Sequence, residues 1–206
     1  MKEDNPTKED NPTRGRIVEA GWKALLEHGY AGTGLGPLLA SIDVPKGSFY
    51  HFFPSKEAFA AEVLTAYAEH YRANRQVLFA DAALGPLARL DRYLVHLEEE
   101  ALSRSEVAGC LYGVMALAAP SLGAPVKERL ADVFARWEAD FAGLIAEAQQ
   151  AGEVDPALDV GFVSACVVDL YEGTIIRARA GDGVAAFARF RTCVHALLGA
   201  PLPVTK

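Results

Sequence analysis

The chain has 206 residues, 51% of them hydrophobic and 23% charged, which is enough for one large domain or two small ones around a buried core and excludes disorder throughout. Its 20 basic and 27 acidic side chains leave a formal charge of −7, which excludes a protein coated in positive charge. A small basic patch remains compatible with that total.

In chain order, residues 1–13 come first, with a polar hexapeptide, Lys-Glu-Asp-Asn-Pro-Thr, repeated at 2–7 and 8–13. Two polar copies cannot form a core or a solenoid, so the segment reads as a flexible arm, and it lacks the apolar run of a secretory signal. Thr13 is placed to cap a first helix, in which Ile17, Ala20, Ala24 and Leu25 recur at helical spacing up to His28-Gly29. A turn over 30–34 leads to a short apolar helix over 35–42, and Pro45 suits the first turn of a third helix reaching Phe52.

Ser55 is a cap candidate for a long fourth helix to about Phe79. Further helices are predicted at about 86–104, 109–119, 124–151, 157–180 and 183–198, punctuated by glycine and proline. No stretch alternates with the period of a strand, so the predicted fold is all-α with about nine helices. Residues 107–126 carry no charge, the length of a membrane span, but Pro120 and Pro125 confine any regular helix there to about a dozen residues, which points to a buried core helix.

Cys110, Cys166 and Cys193 lie far apart without a Cys-x-x-Cys pair, and the five histidines show no metal-binding spacing. Neither a metal nor a cofactor is expected, and free thiols suit a reducing cytoplasm.

The first three helices have helix-turn-helix spacing, in which the last helix of the three can enter a DNA major groove. That helix, around residues 44–53, offers Lys46, Gly47, Ser48, Tyr50 and His51 as polar or open positions, while Phe49, Phe52 and Phe53 hold it to a core. From Val44 to Lys56 there are two lysines and no acid, and residues 12–56 carry a net +2 within the acidic whole.

The string Pro-Lys-Gly-Ser-Phe-Tyr-His-Phe-Phe-Pro-Ser-Lys-Glu-Ala-Phe at 45–59, preceded by His28-Gly29-Tyr30 and Thr33-Gly34-Leu35, resembles the DNA-binding domain of TetR-family bacterial transcriptional regulators over about residues 14–64. The resemblance implies a helix-turn-helix head over 14–56, a ligand-binding and dimerisation domain over 57–206, and a cytoplasmic homodimer. Such a protein represses transcription on a palindromic operator and is released by a small apolar or electrophilic effector. The expected partners are operator DNA, a second copy and that effector, with no membrane. By the same resemblance Lys46, Tyr50 and His51 face DNA, and Thr33 and Lys56 contact phosphate. Gly34 stands where the commoner pattern has a hydroxyl.

The predicted body is rich in aromatic side chains with polar tips, which suit an effector pocket. The candidates are Tyr67, His70, Tyr71, His96, Cys110, Tyr112, Met115, Trp137, Phe141 and Tyr171, with Tyr93 beside them, and each could equally be helix-packing core. Gly109-Cys110-Leu111 is similar to the NemR-like and AcuR-like subgroup, in which a cysteine at this place lies near the effector and in NemR-like members senses electrophiles. There a lysine accompanies the thiol. The resemblance sets Arg179 at its position, and arginine can lower a thiol pKa without the chemistry of a neutral amine.

Val163, Val167, Leu170 and Thr174, then Phe187, Phe190 and Val194, form apolar faces that could pack as a four-helix bundle across a twofold axis or against their own subunit. Three other functions stand beside a ligand-released repressor. They are a thiol sensor acting through Cys110, an all-helical enzyme, and a scaffold whose head no longer reads DNA. No catalytic constellation is visible in the sequence, so an enzyme is not expected.

Overall fold

The computed structural model describes residues 11–103 and 109–200. The hexapeptide repeat therefore lies outside the described residues as far as Asp10. Among the described residues are nine α-helices and no strand. They are α1 (Pro12–Gly32), α2 (Leu35–Ala40), α3 (Lys46–Phe52), α4 (Lys56–Phe79), α5 (Pro86–Leu102), α6 (Leu111–Ala118), α7 (Ala124–Gln150), α8 (Val160–Arg177) and α9 (Val184–Leu197).

The ends of these helices show where local chemistry departs from the sequence reading. The cap of α1 is Asn11, not Thr13. Pro12 starts the helix without an N–H, so the first free donor is the Thr13 backbone, which bonds Asn11 Oδ1 at 2.9 Å. At Gly29 the chain breaks helical geometry (φ 67°), and a last turn continues to Gly32. Ser55 does act at the start of α4, where its Oγ accepts from the Ala58 N–H at 3.0 Å.

α8 is shorter than expected because Asp159 caps it, accepting from the Phe162 N–H at 3.0 Å. Beyond Arg177 the chain opens into a wider turn at Ala178–Asp182. The Asp182 carboxylate closes that turn by accepting from Arg177 at 2.8 and 3.1 Å and from Arg189 at 2.5 Å. In the uncharged segment, α6 ends at Ala118 and a 3-10 turn at Ala119–Ser121 takes in Pro120. Among the described residues no helix is long and apolar enough to cross a membrane.

The described residues form two compact units, the first containing residues 11–69 and 111–132 and the second 70–103, 109–110 and 133–200. In the first unit α1 packs on α6 and on the start of α4. Gly21 permits the close approach to α4, since a Cβ there would lie 2.2 Å from Phe59 Cζ. The core is Ile17, Leu25, Leu39, Phe49, Phe59, Val63 and Leu64, with Tyr67 set between Trp22 (4.9 Å between ring centres) and Tyr112 (5.0 Å).

In the second unit α8 and α9 pack together around Val167, Phe187, Phe190 and Val194. Leu94 and Leu97 of α5 and Phe141, Leu144 and Ile145 of α7 complete its buried apolar set. α9 is tied to α5 by Asp91, which takes Arg191 at 3.2 Å and His195 at 3.3 Å.

Candidate nucleic-acid interface and effector site

α2 and α3 are joined by a tight connection in which the Ile42 and Val44 N–H groups both return to the Leu39 carbonyl, at 3.3 and 3.0 Å. Asp43 adopts a left-handed conformation (φ 53°), which a short polar side chain tolerates. The connection leaves Val44 buried and starts α3 at Lys46. Arg16 of α1 donates to the Ile42 carbonyl and pins the turn to the first helix.

α3 is held by aromatic packing. Phe49 is fully buried, with ring centres 5.3 Å from Phe53 and 5.4 Å from Phe59, and Phe53 lies 5.2 Å from Phe59. At 100° per residue, positions 46, 47, 50 and 51 share the opposite arc of the helix. Lys46, Gly47, Tyr50 and His51 are all exposed there, Tyr50 at 55%, and Ser48 is half-buried at the edge. A Cβ on Gly47 would meet open space, so nothing in the head crowds this face. The face therefore carries one ammonium, one phenol and one imidazole, with an opening where a groove wall can come near.

Thr33 and Lys56 are placed differently. Thr33 is buried, and its hydroxyl lies within hydrogen-bond distance of the Gly29 (2.7 Å) and Ala24 (3.0 Å) carbonyls. A hydroxyl has one proton to donate, so this group braces the end of α1 and presents no side chain to solvent. Lys56 Nζ donates to the Tyr30 carbonyl at 2.6 Å and lies 4.4 Å from the Tyr30 ring centre, and burial lowers its pKa. Arg14 is engaged in the same region by Glu62 at 2.9 Å and the Phe53 ring.

The ten candidate effector residues separate between the two units. Tyr67, Tyr112 and Met115 are buried core of the first. The other seven belong to the second, where His70 is exposed against Tyr71 and Asn74. The structure brings the remaining six into one neighbourhood with Tyr93. Trp137 lies 5.3 Å from Tyr171 and 6.2 Å from Phe141, and Tyr93 lies 5.7 Å from Phe141. The Tyr71 hydroxyl donates to Glu100 at 2.5 Å, and His96 sits 3.8 Å from the other oxygen of that carboxylate.

Cys110 is buried, and its thiol donates to the carboxyl of Glu172. Burial raises the Glu172 pKa, a shift that the thiol bond offsets in part. Tyr171 ionises well above the usual phenol range, first through burial and then through its acidic neighbours Cys110, Tyr93, Glu172 and Glu100. Arg179, the expected companion of the thiol, is exposed in the turn beyond α8, about two helical turns past Glu172. Sequence reasoning missed Glu172, although a carboxylate amid the apolar residues of 160–176 was a visible signal.

It also missed Arg75 and Asp140, a buried guanidinium donating to one carboxylate oxygen at 3.0 and 2.5 Å, with Arg72 3.6 Å from the same atom. Among the described residues no group of three His, Cys, Asp or Glu could hold a metal ion.

Of the residues proposed for a subunit interface, Val163, Val167, Thr174, Phe187, Phe190 and Val194 are buried within the chain itself, and Leu170 is partly open. Their faces serve the core of this protomer because α8 and α9 pack on each other and α9 also packs on α5. The open apolar side chains are instead Phe162, Ile176 and Val184, each at least 60% exposed. A groove of about 610 Å³ runs between α8 and α9, lined by Cys166, Leu170, Gly173, Phe190, Cys193 and Leu197 among others.

Residues 17–63 match the family model described as bacterial regulatory proteins, tetR family, and residues 86–194 match the tetracyclin repressor-like C-terminal domain. The chain is 30% identical to the HTH-type transcriptional repressor DhaR of Mycobacterium sp. (strain GP1), over 95% of each protein. It is 33% identical to the transcriptional regulator AcuR of Cereibacter sphaeroides, over 79% of this chain and 74% of that one. A crystal structure of regulatory protein TetR from Rhodobacter sphaeroides superposes with a TM-score of 0.85 at 28% identity, covering 91% of this chain and 99% of the other.

Proposed function

The chain belongs to the tetR family of bacterial regulatory proteins, and from that premise we propose that it is a ligand-released transcriptional repressor binding a palindromic operator as a homodimer. The observation that carries the reading is the exposed arc of α3. Lys46, Tyr50 and His51 stand together on a helix fixed from behind by Phe49, Phe53 and Phe59, within the residues that match the family's DNA-binding model. A rigid helix that presents donors and leaves its backbone approachable at Gly47 suits entry into a major groove.

In this reading residues 14–56 are the DNA-binding head, and 57–206 receive the effector and the second copy. A homodimer is supported by the exposed Phe162, Ile176 and Val184 and by the apolar groove of α8 and α9. The relatives and the fold are those of regulators, not enzymes. A thiol-sensing alternative through Cys110 has less support. The group bonded to that thiol is a carboxyl, not the cation that a sensing thiol calls for.

The test is selection of duplexes from a randomised library by the purified protein. Enriched sequences should show twofold symmetry, with half-sites about one helical turn apart. Recovery of no sequence above the unselected library would overturn the reading.

A further inference from the structure

Resting on the reading of a ligand-released regulator, we propose that the effector carries a protonated amine on an aromatic or otherwise apolar body, and that Glu172 is the residue that anchors the amine.

Glu172 is a largely buried carboxyl with half of its hydrogen-bonding capacity unmet. One oxygen accepts from the Cys110 thiol, while Oε1 is fully buried without a hydrogen-bond partner. A carboxylate held out of water is costly unless a positive charge or several donors compensate it. Among the described residues no ion pair reaches this carboxyl, and its pKa is raised by burial and lowered by the thiol bond.

The basic groups of the second unit that come near this neighbourhood are already engaged. Arg75 is bound to Asp140 and to Tyr93, Arg177 is held by Asp182, and His96 lies against Glu100. Tyr171, the preceding residue on α8, has the acidic groups Cys110, Tyr93, Glu172 and Glu100 as neighbours. Two carboxyls, a thiol and phenols thus converge from α4, α5, α8 and the residue before α6, and the described cation that reaches the aromatic set, Arg75 beside Tyr93 and Trp137, is committed to Asp140.

The apolar part of the neighbourhood is aromatic. Trp137, Tyr171, Phe141 and Tyr93 form a chain of edge, stacked and tilted ring contacts between 5.3 and 6.2 Å. Ring faces attract a cation, and their bodies cover an apolar tail. An ammonium head on a ring or short chain satisfies both halves, bonding Glu172 Oε1 and neutralising the excess of acid. A carboxylate ligand would instead meet Glu172 and Glu100 and be repelled.

The test measures thermal stabilisation of the full chain by three probes of one shape, benzylamine, benzyl alcohol and benzoate, in wild type and in Glu172→Gln. Glutamine keeps an acceptor for the Cys110 thiol and removes the charge. Benzylamine should bind the wild type at least tenfold more tightly than benzyl alcohol, with no shift from benzoate. Glu172→Gln should lose that tenfold preference while retaining its response to benzyl alcohol. Equal binding of amine and alcohol, stabilisation by benzoate, no response to any probe, or a preference surviving in Glu172→Gln would each overturn the proposal. The wild-type comparison decides alone if the variant fails to fold. Duplex selection by the same preparation, without probe, reads the repressor function separately, so either reading can fail without the other.

Discussion

Lys56 reaches back across 26 residues to donate to the Tyr30 carbonyl at 2.6 Å, with its ammonium 4.4 Å from the centre of the Tyr30 ring. The contact joins the start of α4 to the last turn of α1, just past the break at Gly29. Lys56→Met keeps most of the apolar stem and removes the donor and the charge. A charge-assisted bond of this kind contributes about 1.5 kcal/mol, and the carbonyl left behind remains near solvent. The melting temperature should fall by about 3–6 °C. An unchanged value would show that the contact contributes no stability.

The exposed arc of α3 should behave in the opposite way. Lys46 and Tyr50 point into solvent, so Lys46→Ala and Tyr50→Ala should leave the melting temperature within about 1 °C and weaken operator binding by about tenfold or more. Titration of a selected duplex by anisotropy separates the two effects. Wild-type affinity in both variants would remove this face from the interface.

Asp140 is the sole carboxylate bonded to the buried Arg75 guanidinium among the described contacts. Asp140→Ala would leave that buried guanidinium without a carboxylate, with only its bond to Tyr93, at a cost of about 3 kcal/mol. Asp140→Asn keeps an acceptor and should cost less. Chemical denaturation of both variants tests the order, and equal stabilities would show that the pair contributes geometry alone.

Glu172 predicts a pH effect whose sign follows from burial. Its pKa in the folded chain is raised above the unfolded value. The stability contributed by this group is therefore fully present below the unfolded pKa and is lost as pH rises through the folded pKa. At neutral pH wild type carries the cost of a buried carboxylate that Glu172→Gln does not. The variant should melt higher than wild type at neutral pH, and the gap should close as pH falls toward the unfolded pKa. A gap independent of pH would mean that the carboxyl does not titrate between folded and unfolded states as its burial requires.

The parts of this molecule that could be read from sequence are those written in short stretches of chain. The recognition helix was legible because Phe49, Phe52 and Phe53 alternate with Lys46, Tyr50 and His51 at helical spacing, and burial follows that spacing directly. Thr33 was less legible because its hydroxyl turns inward to the Gly29 and Ala24 carbonyls at the break in α1, a bend that spacing does not reveal.

The α8 and α9 faces show a second limit. Both helices carry apolar side chains on two sides, so periodicity could not say which side meets the protomer's own core and which stays open; their packing on each other, and of α9 on α5, decides it. The pairing of Cys110 with Glu172 spans more than sixty residues and joins two helices whose register no local pattern records. The aromatic set was correctly suspected as a set, but division into two units assigns Tyr67, Tyr112 and Met115 to a different core from Trp137, Phe141 and Tyr171.

The three thiols sit at three depths: Cys110 buried, Cys166 half-covered and Cys193 open along the α8–α9 groove. The protein thereby carries its own gauge of assembly. A water-soluble maleimide reads Cys193 first and Cys110 last. In the proposed homodimer, a second chain seated in the groove would slow the first of these and leave the order of the others intact. Labelling rate against protein concentration would then report how many chains are paired, without any engineered residue.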